Sequence, residues 1–139
     1  MNYTAADVAR LNDNPLYHAL GIRLDTIDAG DARAVLAPTA AACWPMPTQP
    51  HGGVLFTLID TTAAWAASSL ADEGGTSVTV DCSVQYVAPA REAPFTCHAH
   101  LEARAGRSVF VRAEVVDARG AVIALGQGTF RLVAGPTGS

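Results

Sequence analysis

The chain has 139 residues, 50% of them hydrophobic and 16% charged, a balance that suits one folded domain with a substantial core and excludes intrinsic disorder. The net charge of −4 argues against a general nucleic-acid partner, and all nine cations are Arg, which excludes a P-loop lysine and Schiff-base chemistry. No apolar run approaches the roughly 18 residues of a membrane span, and the N-terminal stretch has neither the basic start nor the apolar core of a signal peptide.

Residues 1–19 are expected to hold one short helix, from about Thr4 to His18, with Thr4 as its cap. From Leu20 to Ala37 the pattern alternates: Ile22, Leu24 and Thr26 precede the turn Asp28-Ala29-Gly30-Asp31, and Ala32, Ala34 and Leu36 follow it, which predicts a hairpin. Four prolines between Pro38 and Pro50 make a loop. His51-Gly52-Gly53 then opens a run of helix formers reaching about Leu70, and some 18 residues at about 1.5 Å each give a helix of roughly 27 Å. Almost every position on it is apolar or small, so it is expected to be buried on most sides.

Four long strands follow. The first, Ser77 to Tyr86, alternates Val78, Val80, Cys82, Val84 and Tyr86 against Ser77, Thr79, Asp81, Ser83 and Gln85. The second, Phe95 to Ala103, sets Phe95, Cys97, Ala99 and Leu101 against Thr96, His98, His100 and Glu102. Val109 to Asp117 and Ala121 to Val133 complete the set after short Gly-containing turns, and residues 134–139 are expected to be a disordered tail. Six antiparallel strands and one long apolar helix imply an α+β fold, with a curved sheet wrapped around the helix and open edges that invite a second copy. The three cysteines, Cys43, Cys82 and Cys97, form no CxxC pair, so reduced thiols in the cytoplasm are expected, without a disulfide framework or zinc site.

One residue does not fit the apolar helix. Asp60 lies in VLFTLIDTTAAWAA, with Phe56, Thr57, Ala63 and Ala64 as helix-face neighbours. A carboxylate there needs either a partner, such as the Thr57 hydroxyl or another, or an opening to solvent. Gly52 and Gly53 put two residues without side chains at the helix N-terminus, where unpaired N–H groups and the positive dipole end can meet an anion or a polarised carbonyl. An N–H donor for a developing oxyanion and a carboxylate are the minimum equipment for acyl transfer. Gly53 and Asp60 are nevertheless separated by about 10.5 Å along the helix axis, too far to act on one carbonyl. If both act on one substrate they come from different subunits, across a two-fold axis.

HGGVLFTLID, the strand ending in QYVAPA, and ARAGRSVFVRAEVVDARGAVIALGQGTF together resemble hotdog-fold acyl-CoA thioesterases, especially the PaaI-like and 4-hydroxybenzoyl-CoA thioesterase-like branch. The resemblance spans roughly Leu20 to Leu132. It implies one hotdog domain over residues 1–139, with a long central helix in a curved six-stranded sheet, homodimers that commonly pair into homotetramers, and acyl-CoA as substrate with no separate cofactor. It implies Asp60 as nucleophile or general base, and Gly53 or Gly52 as the backbone donor to the thioester carbonyl. His51 is then the residue that shapes the loop or caps the helix. Members usually carry Asn or Gln six residues before that His; Pro45 stands there, and Gln49 is the nearest amide. Thr76 and Ser77 are candidate hydroxyls near the site, and Arg104, Arg107 and Ser108 candidate contacts to the nucleotide of coenzyme A, with Arg91 a further cation.

Other features point less far. His98 and His100 share a strand face with Glu102 but lack an evident third ligand, so no metal is expected. Thr61, Thr62, Ser68 and Ser69 sit in no nucleophile elbow, and Cys43 has no sequence-adjacent His. Phe56, Trp65, Trp44 and Met46 suit either an acyl pocket or plain core. The rival readings are a non-catalytic acyl-CoA or lipid-binding hotdog protein and a hotdog dehydratase, for which His51 is poorly placed.

Overall fold

A computed structural model describes residues 1–45 and 49–136. Two short helices, α1 (Ala5–Leu11) and α2 (Pro15–Leu20), precede the hairpin β1 (Ile22–Asp28) and β2 (Asp31–Leu36). The long helix α3 (Gly52–Ser68) follows, then β3 (Thr76–Tyr86), β4 (Phe95–Ala105), β5 (Ser108–Val116) and β6 (Val122–Val133). All pairings are antiparallel, in the order β1-β2-β4-β5-β6-β3, and α3 packs against all six strands. The expected α+β layering is therefore present.

The N-terminal segment corrects the expectation of one helix. Thr4 does cap α1, in a reciprocal capping box with Asp7, but the helix stops at Leu11. Asn14 then caps a second helix whose first residue is Pro15, a position where the missing N–H costs nothing. Residues 134–136 carry no regular structure, and the rest of the expected tail, 137–139, lies outside the described residues, as does Met46.

Register shifts interrupt simple alternation, and those in β1 and β3 alter the expected faces. In β1 the shift between Leu24 and Thr26 turns Thr26 outward and brings Ile27 into the core. In β3 the shift lies between Thr79 and Asp81, so Val80 is an extra residue. The expected apolar face of this strand is thereby split: Cys82, Val84 and Tyr86 face the helix together with Ser77 and Thr79, whereas Val78 shares the outer face with Asp81, Ser83 and Gln85. Val78 and Val80 are 48% and 64% exposed.

The core lies between α3 and the concave face. Leu58, Ile59, Thr62, Ala63, Ala66 and Ala67 meet Leu24, Leu36, Phe95, Cys97, Val111, Val115 and Phe130, all buried. As expected, the helix is buried on most sides, but one stripe stays open. Gly53, Phe56, Thr57 and Asp60 lie along a stripe that the sheet leaves exposed or half-buried. Ile59, next to that stripe, fixes how close helix and sheet can come: a Cβ on Gly126 would sit 2.5 Å from its Cγ2. Gly126→Ala is therefore expected to destabilise the fold by about 1–3 kcal/mol, the usual cost of overpacking a tight core, read as a lowered Tm in thermal unfolding.

Candidate active site

Asp60 occupies the uncovered stripe of α3, half-buried, where the helix runs beside the edge strand β3. Its Oδ1 accepts a hydrogen bond from the Thr79 hydroxyl at 2.9 Å, and Oδ2 takes none among the described residues. Thr57, the partner suggested by helix spacing, instead donates to the Gly53 carbonyl. Thr79 is thus a residue that sequence reasoning missed. Strict alternation already set it opposite Val78 and Val80, on the face taken to be wet; the one signal available was the need of Asp60 for a hydroxyl.

Cys82 follows Thr79 on the helix-facing side of β3. Its thiol is pushed up to about 11, first by burial and then by the negative charges of Asp60 and Asp81. This thiol is held protonated and unreactive at neutral pH. Cys97 is pushed further, to about 12, mainly by burial.

Ser77 and Thr76 lie further along the same seam, toward the C-terminal third of α3. The Ser77 hydroxyl donates to the Ala64 carbonyl at 2.9 Å and lies 2.8 Å from the Ser68 hydroxyl, with Thr76 Oγ1 at 3.4 Å from the latter. These hydroxyls are consumed in tying β3 to the helix.

The other candidates gather at the N-terminus of α3. His51 is the N-cap: its Nδ1 accepts the Gly53 N–H at 2.8 Å. The ring is backed by the Trp44 indole, centroids 4.5 Å apart. The Gly53 N–H, the donor expected for a thioester carbonyl, is therefore occupied, while the Gly52 N–H makes no hydrogen bond among the described residues. The Tyr86 hydroxyl donates to the Gly52 carbonyl at 2.7 Å, a contact that the sequence did not announce. Beside these groups runs a groove of about 420 Å³ that Gln49, Gly52, Leu55 and Tyr86 help to line. Gln49, not Pro45, borders it.

Arg104, Arg107 and Ser108 are not part of this end. Arg104 and Arg107 border a small hollow with Leu70 and Asp72, at the opposite end of α3, and Ser108 begins β5 beside them. Arg91 is exposed in the loop before β4. Trp65 belongs to the packing of the N-terminal segment, its Nε1–H donating to the Tyr17 hydroxyl at 2.9 Å and its ring meeting Tyr3 edge-on. On the outer sheet face His98 lies 2.6 Å from Asp31, and among the described residues no three His, Cys, Asp or Glu side chains converge as a metal site.

The model of one family, the thioesterase superfamily, matches residues 51–124, more than half of the chain, from the cap of α3 to the middle strands. The chain belongs to the thioesterase superfamily. Solved structures agree with this assignment. A thioesterase of Haemophilus influenzae superposes with a TM-score of 0.88 over 99% of this chain and 95% of its own, at 19% identity, which speaks for the hotdog fold alone. A conserved protein of Pseudomonas aeruginosa is 29% identical, with a TM-score of 0.78 over 86% of this chain and 94% of its own. The PaaI protein of the Escherichia coli phenylacetic acid degradation operon is 26% identical, with a TM-score of 0.78 over 91% of this chain and 90% of its own. No protein of curated function matches the chain significantly. Among the described residues no helix of this hotdog domain is long and apolar enough to cross a membrane.

The charge at Asp60 can be checked through its neighbour. Asp60→Asn removes one of the two carboxylates that raise the Cys82 thiol, so its value should fall below about 11 and the thiolate become more abundant at any given alkaline pH. Peptide mass spectrometry of iodoacetamide labelling across the alkaline range should show faster modification of Cys82 in the variant.

Proposed function

We propose that this thioesterase-superfamily chain hydrolyses acyl-CoA thioesters to free acid and coenzyme A at a site shared by two protomers. The observation that carries this reading is the carboxylate of Asp60 on the open stripe of α3, held through one oxygen by Thr79, the other taking no hydrogen bond among the described residues. A carboxylate so fixed can attack the thioester carbonyl, forming an anhydride and expelling the thiolate, or take a proton from the attacking water; either way the thiolate leaves without a cationic acid. Thr79 positions it.

The carbonyl needs a donor, and the α3 N-terminus supplies one. The Gly52 N–H, unpaired among the described residues and at the positive end of the helix dipole, suits a developing oxyanion. The Gly53 N–H stays with His51 and joins only if that ring turns away. Because Gly52 and Asp60 lie roughly 12 Å apart along one helix, the donor and the carboxylate at each site belong to different protomers. The exposed β3 edge with Val78 and Val80, and the open stripe carrying Phe56 at 37% exposure, are the surfaces that a second copy would cover. Setting α3 antiparallel to its copy also brings the Arg104, Arg107 and Ser108 end of one protomer toward the Gly52 groove of the other. Guanidinium groups there suit the phosphates of coenzyme A. Pairing of such dimers into tetramers and a cytoplasmic setting complete the proposal.

Two experiments test it. Against a panel of acyl-CoA esters, Asp60→Asn should lower turnover by roughly 10²-fold or more, as loss of a general base does. Thr79→Val should lower it about tenfold, the equivalent of about 1.4 kcal/mol for one hydrogen bond to a charged group. Equal activity of wild type and Asp60→Asn would sink the mechanism, and tight binding without turnover would favour the non-catalytic rival. The shared site is tested by Gly52→Pro, which deletes the donor while suiting a first helical position that follows the extended His51 (φ −59°, ψ 142°). Alone it should be nearly inactive. Coexpressed with Asp60→Asn it should recover about a quarter of wild-type turnover, because half of randomly formed two-fold dimers are mixed and each has one intact site. No recovery would place both groups in one protomer.

A further inference from the structure

We infer that Trp44 sets the length of acyl chain this enzyme accepts, by standing as a wall between the groove at the α3 N-terminus and an apolar cavity behind it. The inference rests on the thioesterase reading above. The groove holds about 420 Å³ and the cavity, an open hollow on the protein surface, about 560 Å³; among the described residues Trp44 is the one that lines both. The other described residues around the hollow are Ala37, Pro38, Ala40, Cys43, Pro45 and Ala93, all exposed or half-buried and none of them charged. Such a space suits an alkyl tail and nothing anionic.

The loop backbone that carries the indole is held in place. The Trp44 backbone N–H donates to the Gln49 carbonyl at 3.0 Å, Cys43 forms a bridge with Pro50, and the His51 backbone N–H donates to the Ala42 carbonyl at 2.9 Å, so the base of the proline-rich loop is clamped. From that base the ring leans on His51 with a 33° tilt, which ties it to the cap of α3 beside Gly52. A rigid aromatic group 48% exposed at the mouth of a site is one that substrate can cover. An acyl group whose carbonyl meets the Gly52 N–H therefore runs into Trp44 within a few carbons. Short and arylacyl groups fit in front of the ring, whereas a long chain needs the cavity behind it.

The test is the ratio of kcat/KM for decanoyl-CoA to that for phenylacetyl-CoA, in wild type, Trp44→Ala, Trp44→Phe and the double variant Trp44→Ala/Ala40→Phe. Removing the indole should raise the ratio about tenfold or more, the discrimination available to a change of apolar pocket volume. Trp44→Phe should keep the ratio near that of wild type. The double variant refills the cavity from Ala40, an exposed position, and should bring the ratio back down. Loss of support for His51 slows all substrates together and does not move the ratio, so it is separated from the gating effect. An unchanged ratio in Trp44→Ala, with wild type active, overturns the role of Trp44 alone. If wild type hydrolyses neither ester nor any shorter one, the thioesterase reading fails and takes this inference with it.

Discussion

A helix that is apolar on nearly all sides cannot be covered by one face of one sheet, and the rest of this structure is shaped by that shortfall. The sheet curves to reach as far around α3 as it can, with register shifts in β1, β3 and β4 and between β5 and β6. Small residues let the two layers approach: Ala63, Ala66 and Ala67 are buried on the helix, and Gly126 lies directly beneath Ile59. What remains uncovered is the stripe from Gly53 to Asp60, flanked by an edge strand paired with β6 on one side only. The carboxylate lies where the core ends.

That placement decides what its two oxygens meet. On the stripe the carboxylate needs only the Thr79 hydroxyl to hold it, and it keeps one oxygen for chemistry. The thiol beneath registers its charge from the other side, since Asp60 is among the causes that push Cys82 upward. At the N-terminal end of the same helix the sign is reversed, and unpaired N–H groups favour negative charge. In the proposed mechanism one helix thus offers a base and an oxyanion donor, spaced so that a two-fold partner brings them together.

The six strands in their order, the long helix, and the inward faces of β2 and of β4 from Phe95 to Ala99 were legible because hydrophobic periodicity there is unbroken. β3 was misread for a physical reason. Its extra residue, Val80, inverts the parity of everything before it, and alternation counted along the chain cannot see an insertion opposite β6. Thr79 was hidden by the same shift, although the need of Asp60 for a hydroxyl was plain from its surroundings. At the helix start the Gly-Gly doublet marked the right place, but the sequence could not decide which N–H was free, because that depends on how the His51 ring turns. Trp44 lay in a loop without periodicity, where the Cys43–Pro50 bridge, its backbone bond to Gln49 and its contact with His51 fix its position.

The two glycines show why that helix end is a frame and not a hinge. A Cβ on Gly53 would stand 3.0 Å from His51 Nδ1, close enough to dislodge the ring that caps it. A Cβ on Gly52 would reach 3.4 Å from the Tyr86 ring, an ordinary contact, so this position does not demand glycine on grounds of space. Neither residue has a positive φ, so no unusual backbone conformation calls for glycine at either site. Gly53 is thus required by the cap, whereas Gly52 is left bare on the side of the groove. Trp44 and His51 clamp one glycine and Tyr86 the other, and this frame sets the direction of the Gly52 N–H, which has no partner among the described residues. In the proposed mechanism a donor held this way needs no reorganisation as charge develops on the carbonyl oxygen, which is the condition under which one hydrogen bond contributes most to a reaction rate.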